Sequence, residues 1–422
     1  MDASRFWLPK SGVAGTLHGV LRRCIFWPVL MAGAVGAVAD DWPHWRGPQR
    51  DGISREAGWK PELGKLAWRA KVGVGFSSMT VSQGRVYTMG CTGRRADNQE
   101  TVVCLDAATG REIWHDTYPA QLLDNLHEGG PAATPTVDGA LVFTLSKDGR
   151  LNCYEAATGR KQWTADLMKL TAMARPPEWG FAGSPLVVDD KVIVEATSTM
   201  AFDKKTGREI WRSQAFQPAY GSTVVFKHAG KTLLCTLKTE GLVILDAATG
   251  KTVVAQDWRT SFRTNSTTPL VVGQHIFVST GYQRGCGLFA FDGRALKEVY
   301  TNKHLSNHMN NSIVLGAHVY GVDGNTHMAG PKQLVCLELA TGKAVWRQDG
   351  FGCGSLMAVN DQLLVLSEAG KLSVGPASPK GFTPVATQQV LEGRCWTMPV
   401  LSNARIYCRN AAGDLICLDA AR

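Results

Sequence analysis

Side chains able to bind or polarise a ligand are not spread evenly along this 422-residue chain. They cluster in short segments rich in Arg, Asn, His and Trp. His127-Glu128 precedes a pair of glycines, Glu178-Trp179 follows two prolines, and Arg259 to Asn265 includes Phe262 and Arg263. Asn307-His308-Met309-Asn310-Asn311 and Arg394-Cys395-Trp396 continue the set. Three more are turn-like: Tyr282-Gln283-Arg284, Asp323-Gly324-Asn325-Thr326-His327 and Arg409-Asn410. Gathered at one place, these residue types would suit an anionic or peptide-like ligand, because Arg forks onto anions and Asn and aromatics fix orientation. The candidate ligand-binding residues are therefore Trp179, Arg263, Asn265, Tyr282, Arg284, His308, Asn310, Asp323, Asn325, Trp396, Arg409 and Asn410. The competing reading is structural: Asn and Asp beside Gly are ordinary turn formers, and an Arg can serve neighbouring carbonyls.

Chemistry of a more specialised kind finds little support. His308 has no second His at a zinc-ligand spacing. Asp323 and Asn325 with Glu240 or Glu368 could supply oxygens to calcium, but no Asp-x-Asp-x-Asp loop accompanies them. Gly250-Lys251-Thr252 lacks the earlier glycine of a phosphate loop, since Leu245 stands there. There is no Gly-x-Ser-x-Gly elbow and no His-Glu-x-x-His. No catalytic residue and no metal ligand is assigned.

The elements that must position these residues are announced by a repeat. Cys104-Leu105-Asp106-Ala107-Ala108-Thr109-Gly110-Arg111-Glu112-Ile113-Trp114 returns around Gly159, Gly207, Gly250 and Gly342. A worn copy ends at Gly293, and Cys417-Leu418-Asp419-Ala420-Ala421 is cut short by the C-terminus. The spacing is 43 to 49 residues throughout, a period that signals a repeat architecture. Each unit reads as strand, Asp-capped turn with Gly at positive φ, and return strand carrying a Trp plate. Eight first strands open with small residues, among them Ala132-Ala133-Thr134-Pro135-Thr136-Val137 and Ser266-Thr267-Thr268-Pro269-Leu270-Val271. Proline there is tolerable at an inner sheet edge. The eighth unit lacks its fourth strand, and Lys65-Leu66-Ala67-Trp68-Arg69 is a fourth strand with nothing before it. The expected fold is all-β: an eight-bladed β-propeller of four-stranded blades over 63–422, the ring closed by an N-terminal strand joining the last blade. Loops between blades and between second and third strands then share one mouth.

Residues 1–39 read as a secretory signal: Arg22-Arg23, an apolar run from Cys24 to Val38, and Ala37-Val38-Ala39 before the cut. The run is short for a membrane anchor, so no span is expected after cleavage, and the chain is expected to be periplasmic or otherwise exported. Without the signal there are 41 basic and 35 acidic residues, net +6, with no basic run; nucleic acid is not an expected partner. Ten cysteines follow the signal. Those at 104, 153, 336 and 417 hold one repeat position and read as core, while Cys353 and Cys395 open successive units and are the suggested disulfide. Residues 40–62 read as an irregular segment clamped by Trp42 and Trp45.

The repeated Asp-Ala-x-Thr-Gly-[Lys/Arg]-x-x-Trp motif resembles that of the pyrroloquinoline-quinone-like propeller repeat family, over residues 63–422. That family includes quinoprotein alcohol dehydrogenases and the outer-membrane-assembly protein BamB. The opening Trp42-Pro43-His44-Trp45-Arg46-Gly47-Pro48-Gln49-Arg50-Asp51-Gly52 resembles the start of exported repeat proteins of planctomycete-type bacteria. For the enzymes, the resemblance implies a quinone in the central funnel beside Ca²⁺, a catalytic Asp, often a vicinal disulfide, and in some a haem domain. This sequence has neither a vicinal Cys pair nor a Cys-x-x-Cys-His haem motif. Cys24 precedes the apolar run, so a lipid-attachment cysteine is also missing. The expectation is a non-catalytic, monomeric envelope protein without cofactor that binds or scaffolds an envelope protein or peptide. The alternative is a quinone- and calcium-dependent dehydrogenase, and a weaker one is a polysaccharide or cell-surface binder using exposed Trp179 and Trp396.

Overall fold

The computed structural model describes residues 40–93 and 97–421; the signal segment 1–39 lies outside the described residues. Eight antiparallel sheets follow one another, each with four strands of the repeat. Blade 1 runs from Thr80–Ser82 through Arg85–Thr92 and Gln99–Asp106 to Glu112–Pro119. The short first strands pack against one another around the axis, and fourth strands such as Glu112–Pro119 are largely exposed. The expected closure is present. Lys65–Lys71 pairs with Asp414–Asp419, from Lys65 opposite Asp419 to Lys71 opposite Asp414, and is the fourth strand of blade 8. The one helix among the described residues is Leu167–Thr171.

The repeated turn works as its residues dictate. Asp106 Oδ1 accepts from the backbone N–H of Ala108 and Thr109 and from the Thr109 hydroxyl, at 3.1, 2.8 and 2.8 Å. Asp203 and Asp246 do the same in blades 3 and 4. Where an outer strand carries a Trp, the Trp reaches the next blade. Trp68, Trp114 and Trp163 donate Nε1–H to the carbonyls of Ala107, Ala156 and Lys204. Their faces lie on the turn glycine: a Cβ added to Gly159 would stand 2.5 Å from Trp114 Cδ2. Blade 5 has Tyr300 in this place, its hydroxyl on Leu339 O and its ring on Gly342. A bulge the pattern did not reveal makes this possible. The register slips by one residue just before the Trp in outer strand pairs, as between Cys104 and Leu105. The extra residue re-aims the indole toward the neighbouring blade.

The ring is also bolted across its seam. Arg409 of blade 8 is fully buried. Its Nη1 donates to Ser77 O, Thr88 Oγ1 and Met89 O, and Nη2 donates to Gly73 O, all at 2.7–2.9 Å. The suggested disulfide is absent. Cys353 and Cys395 are both buried free thiols, as are the repeat-position cysteines. Cys353 N–H donates to the Glu368 carboxylate, and Cys395 Sγ to Gly393 O.

Residues 40–62 are more ordered than their composition suggests. Trp42 exchanges two backbone hydrogen bonds with Val81, and Val137 N–H donates to Pro43 O. Arg50 Nη2 reaches Val187 O in blade 3, Trp45 Nε1 reaches Thr268 Oγ1 in blade 5, and Arg46 Nη2 reaches Ser312 O in blade 6. Ile53–Ser54 then adds a parallel fifth strand to the inner edge of blade 7. Lys60 N–H donates to Ala420 O in blade 8. The segment therefore lies across the axis and closes one end of the channel.

Candidate functional site

The other end of the channel is a cup with a cavity of ≈ 160 Å³. Trp45 of the crossing segment is its floor. The small residues that lead into the first strands, such as Ala132, Ala182, Ser184 and Ser222, are its wall. They must be small because eight such segments converge there. The inter-blade links and the turns between second and third strands supply the rim.

The rim is an aromatic belt. Phe76 and Trp396 stack at 5.2 Å and 23°. His127 meets both edge-on, His327 meets Trp396, and His308 meets His327 at 5.8 Å. Tyr282 packs on His308 at 5.1 Å, and exposed Phe262 packs on Tyr282 at 4.8 Å. Trp179 and Tyr220 pair at 5.5 Å on another part of the rim. The two indoles of the rim are fixed from behind. Trp396 Nε1 donates to Glu368 at 2.8 Å, and the Arg394 guanidinium lies 4.4 Å from its ring centre while pairing with Glu128. Trp179 Nε1 donates to Asn125 O.

The imidazoles of this belt are neutral at pH 7. Burial, then the charge of Lys147, pushes His127 down to about 3, and its Nδ1 accepts from Gly129 N–H at 3.0 Å. Burial, then His327, pushes His308 down to about 4; its Nε2 lies 3.1 Å from the Tyr282 hydroxyl. Lys147 lines the cup and is itself buried, which lowers it to about 8. Its Nζ donates to Gly130 O at 2.8 Å.

Of the sequence candidates, Trp179, Tyr282, His308 and Trp396 line the cup. Trp396 is buried rather than exposed, and Trp179 is half-buried. The others do not line it. Asn265 donates to the carbonyls of Lys238 and Trp258, Asn310 to Gly354 O, and Asn410 to Glu392 O. Asp323 accepts from Ser306 N–H and pairs with Arg347. Asn325 caps His327 N–H, and Arg263 is exposed on a link. Arg284 lies 3.6 Å from the ring centre of Trp258, and Arg409 bolts the seam. Trp45, Phe76, Lys147 and Tyr220 were not among the candidates. Phe76 and Tyr220 open their units, and Lys147 holds the same inter-strand turn as Tyr282, so position within the repeat was the available signal.

The calcium–quinone pair implied by the resemblance does not fit this donor set. Ca²⁺ takes six to eight oxygens, carboxylates prominent among them, and no Asp or Glu lines the cup. The carboxylates considered for calcium are dispersed: Asp323 is with Arg347, Glu240 accepts from Gln217 N–H, and Glu368 holds Trp396. Among the described residues no three His, Cys, Asp or Glu side chains converge on a metal position. Neutral imidazoles, hydroxyls and aromatic faces instead suit an uncharged or aromatic group of a ligand.

Comparison with known proteins places this geometry. The family model described as outer membrane protein assembly factor BamB matches residues 98–348. Quinohemoprotein alcohol dehydrogenase ADH-IIG of Pseudomonas putida is 30% identical over 165 residues, which are 35% of this chain and 21% of that protein; the chain thus matches about a fifth of that relative's length. Outer membrane protein assembly factor BamB of Burkholderia pseudomallei is 27% identical over 314 residues, 69% of this chain and 71% of that one. In structure, BamB from Moraxella catarrhalis aligns with a TM-score of 0.57 and 17% identity, covering 83% of this chain and 97% of that one. The P. putida ADHIIG structure aligns with a TM-score of 0.61 and 14% identity, covering 91% and 81%. These structural likenesses show a common propeller fold.

Proposed function

Because the chain belongs to the family of outer membrane protein assembly factor BamB, we propose that it is a non-catalytic binding and scaffolding protein of the cell envelope. In this reading the cup takes an aromatic or apolar side chain of a partner polypeptide. One observation carries the reading: the cup is floored by Trp45, belted by fixed rings and neutral imidazoles, and lined by no carboxylate. Rigid aromatic anchors around a desolvated pocket are the usual energetic centre of a protein interface. No helix among the described residues is long and apolar enough to cross a membrane; export through the 1–39 segment is part of the proposal.

The stacked pair Phe76–Trp396 and the 30%-identical stretch of a quinohemoprotein favour a second reading, a quinone-dependent dehydrogenase. One experiment separates the two. The purified chain is immobilised against an envelope extract, and in parallel is titrated calorimetrically with pyrroloquinoline quinone and Ca²⁺. A captured polypeptide that is lost in Tyr282→Ala, with no heat from the quinone, supports the scaffold. Calcium-dependent quinone binding with dye-linked alcohol oxidation sinks it.

A further inference from the structure

Trp45 separates the cup from a second, much smaller cavity of ≈ 10 Å³ on the closed side of the channel. His44, Arg46 and Arg50 of the crossing segment line it, with Ser184, Pro185, Ser222 and Thr223 of blades 3 and 4. That volume admits one water-sized particle and excludes a phosphate or a carboxylate.

Its charge is out of balance. Arg46 is completely buried. Its Nε donates to Arg50 O, and its Nη2 donates to Asp51 O and Ser312 O. Its Nη1 is buried with no partner among the described residues. Among the described residues the Arg50 guanidinium makes one hydrogen bond, from Nη2 to Val187 O at 3.2 Å. A guanidinium cannot shed its proton to escape burial, and a buried unpaired charge is strongly unfavourable. The neighbouring carboxylates are already engaged. Asp51 pairs with Arg55 at 2.6 Å and accepts from Ile53 N–H, and Asp138 pairs with Lys204 at 2.6 Å. Arg409 is buried as deeply, but its two Nη groups reach four oxygens. Arg46 lacks the matching acceptor and has a cavity beside it instead.

We propose that this cavity binds a single monatomic anion, chloride in ordinary salt, on Arg46 Nη1 and the Arg50 guanidinium. The anion balances the two cations and pins the crossing segment beneath Trp45. It is thus a structural ion of the cup's floor, independent of what the cup itself binds.

The test uses the purified chain in sodium chloride and in sodium gluconate at equal ionic strength. The melting midpoint should rise by several degrees with chloride and stay level in gluconate. Crystals grown in bromide should show an anomalous peak in the cavity. Arg50→Gln, which retains Arg46 and the segment's backbone contacts, should weaken the chloride response about tenfold. Arg46→Met should abolish it if the variant folds. Equal midpoints in the two salts, or a cavity without bromide, overturns the proposal. So does a chloride response that Arg50→Gln leaves unchanged, because the ion would then sit elsewhere.

Discussion

The outer rim of the ring and its axis are built on opposite principles. At the rim, one solution recurs: Asp caps a Thr-Gly turn, a bulge turns the next Trp outward, and the Trp lies on the following blade's glycine. At the axis the contributions vary from blade to blade, with a buried lysine in blades 2 and 4 and other residue types elsewhere. The turns between second and third strands offer Lys147, Lys238, Tyr282, Asn325 and Glu368, and the end of blade 8's second strand offers Arg409. Repetition at the rim gives stability that is nearly additive from blade to blade. Individuality at the axis is then free to build a seam, a floor and a cup. Fold and site can thus be separated by mutation, because they draw on different residues of the same blade.

The largest effect should come from an axial residue that serves the fold. Arg409→Leu removes four hydrogen bonds to blade 1 and the link that leads into it, at the ring closure. It should cost on the order of 4 kcal/mol in urea unfolding. A loss below about 1 kcal/mol would mean that the Lys65–Lys71 strand alone closes the ring. At the rim, Gly159→Ala should cost about 3 kcal/mol, since φ is +72° and the new Cβ meets Trp114. Gly139 is the control. Its φ is +58° with nothing within 4 Å, so Gly139→Ala should cost about 1 kcal/mol from backbone strain alone. Equal costs would deny the wedge.

The same contrast explains what could be read from the sequence. Eight units and their closure were legible because the rim repeats, and a repeat exposes its own missing strand. The bulge was not, since its extra residue is only another variable position before Trp. The mouth was legible as a set of turns, but not which side chains face the cup. Turn backbone carries unpaired carbonyls, and these captured Asn265, Asn410 and Arg409 before any ligand could. Tyr282 and His308 remained in the cup because a phenol and a neutral imidazole satisfy each other there. The path of residues 40–62 depends on contacts with blades spread around the ring, which no local pattern encodes.

The axis should also titrate where the repeated turns do not. His308 is held down to about 4, against an ordinary 6.5. Between those values the unfolded chain takes the proton first, so this share of stability is complete above pH 6.5 and is lost as pH falls. The share lost by pH 5 should be about 2 kcal/mol. Glu56 and Glu100, raised to about 7 by burial, act with opposite sign: the folded state takes their protons first, and stability falls as pH rises from about 4.5 to 7. Comparing wild type with His308→Gln at pH 7 and pH 5 removes this opposing part. The variant should lose less stability on acidification, and identical losses would place His308 in contact with solvent.

The smallest effect discriminates most finely, within a single turn. Tyr282 lines the cup, with its hydroxyl on His308 and its ring between His308 and Phe262. Two residues on, Arg284 leaves the cup and lies over Trp258, 3.6 Å from the ring centre. Its charge is partly exposed and the contact is worth about 0.5–1 kcal/mol. Arg284→Ala should therefore lower stability by no more than that and leave partner capture unchanged. Tyr282→Ala should abolish capture while the chain stays folded. If instead Arg284→Ala weakens capture as much as Tyr282→Ala, the partner grips the outside of the turn, and the cup is not where binding begins.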